Sequence, residues 1–190
     1  MTRNETKTKK QLIEELKELR ERVDECEESV FDDLTGLHDI RYFLVLAEHD
    51  FTRAQRYKRP LSLVMLSLDN LEKLNEIYGE GIVDKALGAV ADYCRKNVRF
   101  VDIFGRYGDG EFLLLLPEAK LKAAEKMAER IRQHVVETPI PSDIGPATIT
   151  ISLGVANLKK DTQNLIFLLE RADKAMNVAR EKGGDRVEVG

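Results

Sequence analysis

Cysteine is scarce in this chain: Cys26 and Cys94 are the only two among 190 residues. They make no disulfide framework and lack metal-ligand spacing, which excludes a stapled secreted scaffold or a zinc module and points to a reducing, cytoplasmic compartment. Long apolar runs are also missing. Runs such as residues 61–65 and 112–116 are of strand length, far short of the roughly 18 residues that a bilayer span needs, so no membrane segment is expected within this chain. No secretory apolar region stands near the N-terminus. A basic surplus is absent too: 30 Lys and Arg against 34 Asp and Glu give a net charge of −4. That balance excludes sequence-independent nucleic-acid binding and means that an anionic ligand must be met by a local basic site. Repeats and low-complexity stretches are lacking. What is present, 43% hydrophobic and 34% charged residues, is the composition of one soluble globular domain with about twenty to thirty residues to spare.

The spare residues lie at the start. Between residues 5 and 30 the apolar positions Leu12, Leu16, Leu19, Val23, Cys26 and Val30 follow steps of 4, 3, 4, 3 and 4, a heptad seam. Charged neighbours such as Glu14, Glu15, Lys17 and Glu18 solvate the other faces. The pattern predicts an N-terminal helix over 1–30 that either forms a short parallel coiled coil, hence a homodimer, or packs on its own domain, which spans 31–190.

Beyond a turn at Asp32-Asp33-Leu34-Thr35-Gly36-Leu37, helical spacing covers residues 40–57, and Pro60 ends it. Residues 61–68 form an apolar run suited to a strand buried on both faces. Helices are predicted over 70–78, 82–98, 121–136 and 165–182. Strands are predicted over 100–106, 111–116 and 147–155, with an edge strand at 186–189 and a loop at 139–146. Tyr107-Gly108-Asp109-Gly110 joins two of the strands as a hairpin turn. The fold class is therefore α+β, an α/β sandwich with a central, mostly antiparallel sheet flanked by helices and preceded by the N-terminal helix.

In such a fold, chemistry collects at strand ends and glycine-bearing turns: here Ser67-Leu68-Asp69 and the hairpin Arg106 to Phe112. These residues resemble the GGDEF family, whose active members are diguanylate cyclases that join two GTP molecules into cyclic di-GMP. The resemblance covers residues 31–188. Asp32-x-Leu34-Thr35-Gly36-Leu37 is similar to the family's DxLTGL opening. Ser67-Leu68-Asp69 with Asn75, Tyr78-Gly79 and Asp84 is similar to its DxD…ND…YGH..GD stretch, and the hairpin to its RYGGDEF signature. Thr150-Ile151-Ser152-Leu153-Gly154-Val155-Ala156 is similar to TxSxGvA, and Ala172-Asp173-x-Ala175 with Ala179-Arg180 to ADxALYxAK. The resemblance implies a palm-like nucleotidyl-cyclase fold.

The departures bear on the chemistry. The family holds Mg²⁺ with the first Asp of DxD and the acidic third residue of its hairpin, because phosphoryl transfer needs a metal to neutralise the triphosphate. Those positions are Ser67 and Gly110 here, within a degenerate signature Gly108, Asp109, Gly110, Glu111 and Phe112. No catalytic residue is assigned, and Mg²⁺ enters only if the cyclase site works, with Asp69 and Glu111 as candidate ligands. Asp109, displaced by one residue, aims toward the other face of the strand unless the turn rearranges. Glu72 replaces the family lysine, while Arg180 keeps a positive charge as a phosphate candidate. Asn75 and Asp84 match the guanine-reading positions, and an amide and a carboxylate suit the guanine edge; each equally suits a surface polar residue or a first-turn helix acid.

A second site is complete. Arg99-Phe100-Val101-Asp102 has the RxxD spacing of the family's inhibitory site, and Arg130 matches the arginine that the family adds from the neighbouring helix, which implies cyclic di-GMP binding at Arg99, Asp102 and Arg130. Guanidinium groups pair with phosphate or with guanine O6 and N7, and Asp102 accepts from N1–H and N2–H. The leading expectation is a degenerate GGDEF receptor for cyclic di-GMP without efficient cyclase activity. The alternatives are a diguanylate cyclase of low or altered activity that binds GTP, and a dimerisation or interaction module with no nucleotide role. Neither nucleic acid nor membrane is an expected partner.

Overall fold

The structure, a computed structural model, describes residues 30–79 and 81–190. The predicted heptad seam over 1–30 falls almost entirely outside them. The elements are α1 (Ile40–Tyr57), β1 (Leu61–Leu68), α2 (Leu71–Tyr78), α3 (Ile82–Asn97), β2 (Ile103–Arg106), β3 (Glu111–Pro117), α4 (Leu121–Glu137), β4 (Ile151–Asn157), α5 (Leu165–Glu181) and β5 (Arg186–Val189). Five strands form one sheet in the order β2-β3-β1-β4-β5, antiparallel except for the β4/β5 pair.

β1 lies at the centre, and all eight of its residues are buried, as an apolar run with helices on both faces requires. The strand's period of two divides them. Leu61, Leu63 and Met65 pack with Phe43, Ala47 and Phe51 of α1 and with Leu168 and Ala172 of α5. Val64, Leu66 and Leu68 pack with Ala86, Leu87 and Val90 of α3 and with Ala128 and Ile131 of α4. Register fixes which groups meet at the functional edge: Ser67 of β1 pairs with Glu111 of β3 and Ser152 of β4.

Local sequence sets the helix ends. Asp39 caps α1 by accepting from Tyr42 N, and Lys58 closes it in the left-handed region two residues before Pro60. Asn164 caps α5 through Phe167 N. Gly154 has a packing reason, since a Cβ there would collide with the α5 backbone at Ala172 and Met176, so the glycine lets β4 and α5 approach closely.

Two predicted boundaries need correction. Residues 100–102 are a turn and not the start of β2, because the Asp102 carboxylate accepts from the Arg99 backbone N–H at 2.8 Å and closes a local loop. β4 begins at Ile151 and not at 147, because its pairing with β1 stops at Leu68 and with β5 at Arg186; Ala147 makes only an isolated bridge to Ile140. No helix among the described residues is long and apolar enough to cross a membrane.

Candidate functional site

Two surfaces carry the residues that the sequence singles out. The first is the edge where β1 ends beside the β2–β3 hairpin. Arg106 holds the hairpin turn, its Nε donating to Gly108 O and its Nη2 to Asp109 O, both at 2.9 Å. Asp32 stands 3.5 Å from Arg106 Nη1, and its carboxylate also accepts from Thr35 N and Oγ1 at 2.8 and 2.5 Å. The opening motif is thus a turn that buttresses the hairpin.

At this edge the acidic candidates are already engaged. Asp69 is buried and accepts from Thr150 Oγ1 at 2.8 Å, Ser152 Oγ at 2.7 Å and the Asp185 backbone N–H at 3.0 Å. Asp185 in turn pairs with Arg132 of α4 at 2.5 Å. Arg132 also forks onto Glu129, which holds that carboxyl below its ordinary range. Glu111 pairs with Arg180 Nη2 at 3.1 Å, and the same nitrogen donates to Ser67 Oγ. Arg180, the phosphate candidate, therefore brings a guanidinium between the two cross-strand partners. Gly110 is buried, and Leu71 Cδ1 fills the space that its Cβ would need.

An open groove of about 520 Å³ adjoins this edge, lined by residues that include Asp69, Glu72, Lys73 and Arg180. Asn75 and Asp84 are exposed on α2 and in the first turn of α3 and do not line it. Asp84 follows the cap residue Gly81 by three positions, where a carboxylate also favours the helix terminus. Cys94 supplies no nucleophile, since burial pushes its thiol up to about 12.

The second surface brings Arg99, Asp102 and Arg130 into one open groove of about 540 Å³ between the 99–102 turn, the end of β3 and α4. Arg99 donates bidentately to Asp102, Nη2 to Oδ1 at 2.7 Å and Nε to Oδ2 at 3.2 Å, and reaches Pro117 O at 3.1 Å. The Asp102 side chain is 2% exposed and that of Arg99 56%, so a buried carboxylate orients a guanidinium whose outer side stays open. Arg130 Nη2 donates to Asn97 O at 3.3 Å and contacts Met127 Sδ at 2.7 Å. Sequence reasoning missed Lys126 and Met127, which also line this groove. Their signal was their place one turn before Arg130, on one face of α4.

The sequence profile described as "Diguanylate cyclase, GGDEF domain" matches residues 29–186. The chain belongs to the GGDEF family. It is 34% identical over 161 residues to the response regulator PleD of Caulobacter vibrioides, covering 84% of this chain and 36% of PleD. Diguanylate cyclase A of Treponema denticola is also 34% identical, over 77% of this chain and 40% of its own length. The chain thus spans a little over a third of these relatives. Among solved structures, the GGDEF domain of DgcB from Caulobacter crescentus, determined in complex with c-di-GMP, aligns with a TM-score of 0.80 at 24% identity, covering 84% of this chain and 92% of that one, a likeness of fold.

GGDEF cyclases use Mg²⁺ when active. The residues at this chain's edge do not suit that ion: Ser67 is neutral, Gly110 offers no side chain and Leu71 takes the space one would need, and Glu111 already faces a guanidinium. Among the described residues no group of three or more His, Cys, Asp or Glu could hold a metal.

Proposed function

We propose that this GGDEF domain is a receptor that binds cyclic di-GMP in the Arg99–Asp102–Arg130 groove and lacks efficient cyclase activity. The observation that carries the reading is the bidentate Arg99–Asp102 pair, fixed from the buried side and opening on a groove that Arg130 shares. In ligand capture the free side of Arg99 and the Arg130 guanidinium meet phosphate oxygens or guanine O6 and N7. Asp102 keeps the Arg99 fork in plane, so little side-chain entropy is lost on binding. Neutralisation of the anion is local, as a chain of net charge −4 requires. In the same reading residues 31–190 are the ligand-binding domain, and the protein works in the cytoplasm.

A cyclase of low activity is the second reading, and the exposed Asn75 and Asp84 favour it, because they leave guanine-edge groups open for GTP. Chromatography after incubation with GTP and Mg²⁺ separates the two. The receptor reading expects no product above a heat-killed control together with saturable cyclic di-GMP binding; product formation supports the cyclase.

A further inference from the structure

At the end of the sheet away from the hairpin, three connections converge on one groove of about 860 Å³. The α1–β1 connection brings Lys58 and Arg59, the start of α4 brings Lys120 and Lys122, and the chain after β4 brings Lys159 and Lys160. All six are exposed, and no carboxylate or aromatic side chain lines the groove. Arg59 has a partner in Glu118, at 3.6 Å. The five lysine ammonium groups make no ion pair or hydrogen bond with any described residue. Leu61, Leu121 and Leu158 give the groove an apolar component.

This concentration of positive charge stands on an acidic chain, so global charge balance does not account for it. Clustered like charges repel one another, and an opposing partner relieves that repulsion. The shape and chemistry narrow the partner's class. Base stacking uses aromatic platforms, which are lacking here. A lipid surface is met by an amphipathic helix that buries Trp, Phe or Leu in the interface, whereas this groove is built from three connections and has no aromatic lining. A bare anion leaves the leucines without a role. We infer that the groove docks an acidic peptide segment of a partner protein, with carboxylates on the lysines and a leucine-sized side chain against Leu121 and Leu158. Ala119 lines both this groove and the Arg99 groove, but none of the six cations belongs to the proposed cyclic di-GMP site, so the inference stands apart from that reading.

The test uses the full chain and a fluorescein-labelled synthetic peptide of four Glu-Leu-Glu-Glu repeats, read by anisotropy. The wild-type protein is expected to bind it saturably and more weakly as salt rises. The Lys58→Glu/Lys120→Glu/Lys159→Glu variant is expected to bind at least about tenfold more weakly, and a peptide with Ala for Leu also more weakly. All three positions are exposed, so unchanged melting and cyclic di-GMP titration verify the fold; the corresponding Lys→Gln variant serves if melting shifts. Equal binding by the variant and the wild type overturns the proposal, as does equal binding of a peptide with Gln for Glu. Lysine-dependent uptake of phosphatidylglycerol vesicles or single-stranded DNA in place of the peptide overturns it too.

Discussion

Leu71 fills the place of a side chain on Gly110: its Cδ1 lies where a Cβ on that glycine would project. The two residues are 39 positions apart, at the start of α2 and just before β3, and they interlock at the edge where β1 ends beside the hairpin. Adding a carboxylate at Gly110 therefore overpacks the edge. Gly110→Asp is expected to lower stability by about 1–3 kcal/mol. Adding Leu71→Ala should recover part of that loss as a non-additive coupling in urea denaturation. Equal losses with and without Leu71 would contradict the interlock.

Asp69 ties three segments together through Thr150, Ser152 and the Asp185 backbone. Asp69→Ala is expected to cost about 3 kcal/mol, because it leaves buried donors unmatched. Cyclic di-GMP affinity should be unchanged. Urea denaturation and ligand titration of the same preparation check both halves.

His38 predicts a pH dependence. Its imidazole stacks on Phe31 and meets Tyr42 edge-on, with Nδ1 buried and unpartnered. Burial lowers its pKa from the ordinary 6.5, and nearby Asp39 pulls weakly the other way. The unfolded chain then takes up a proton more readily than the folded one, so stability falls as pH drops below about 6.5. His38→Phe keeps a ring in the stack and should flatten the dependence of melting temperature on pH between about 7.5 and 5.5. The Glu129 carboxyl, held low by Arg132, loses its contribution only at more acidic pH.

Much of this was legible in the sequence, and the parts that were not share a cause. The 61–68 run and the hairpin depend on neighbours within a few residues, so pattern alone places them. The start of β4 depends on where β1 and β5 stop pairing, so the apolar residues Ala147 and Ile149 mislead. Phe100 and Val101 look like strand residues yet are exposed, because Asp102 folds the turn back on Arg99. At the edge, the uncharged residues Ser67 and Gly110 are plain in the sequence itself. The Arg180 contact with Ser67 and Glu111 joins residues as many as 113 apart, and nothing local announces it. The basic groove likewise forms only when three connections meet at one end of the sheet.

The receptor function rests on cyclic di-GMP binding in the Arg99–Asp102–Arg130 groove. Calorimetric titration of the intact protein with cyclic di-GMP, alongside Arg99→Ala and Arg130→Ala, tests it most directly. Saturable binding by the wild type is expected, with affinity at least about tenfold weaker in each variant, the loss that removal of a charge-assisted pair brings. Absence of binding by the intact protein, or undiminished affinity in Arg99→Ala, would contradict it.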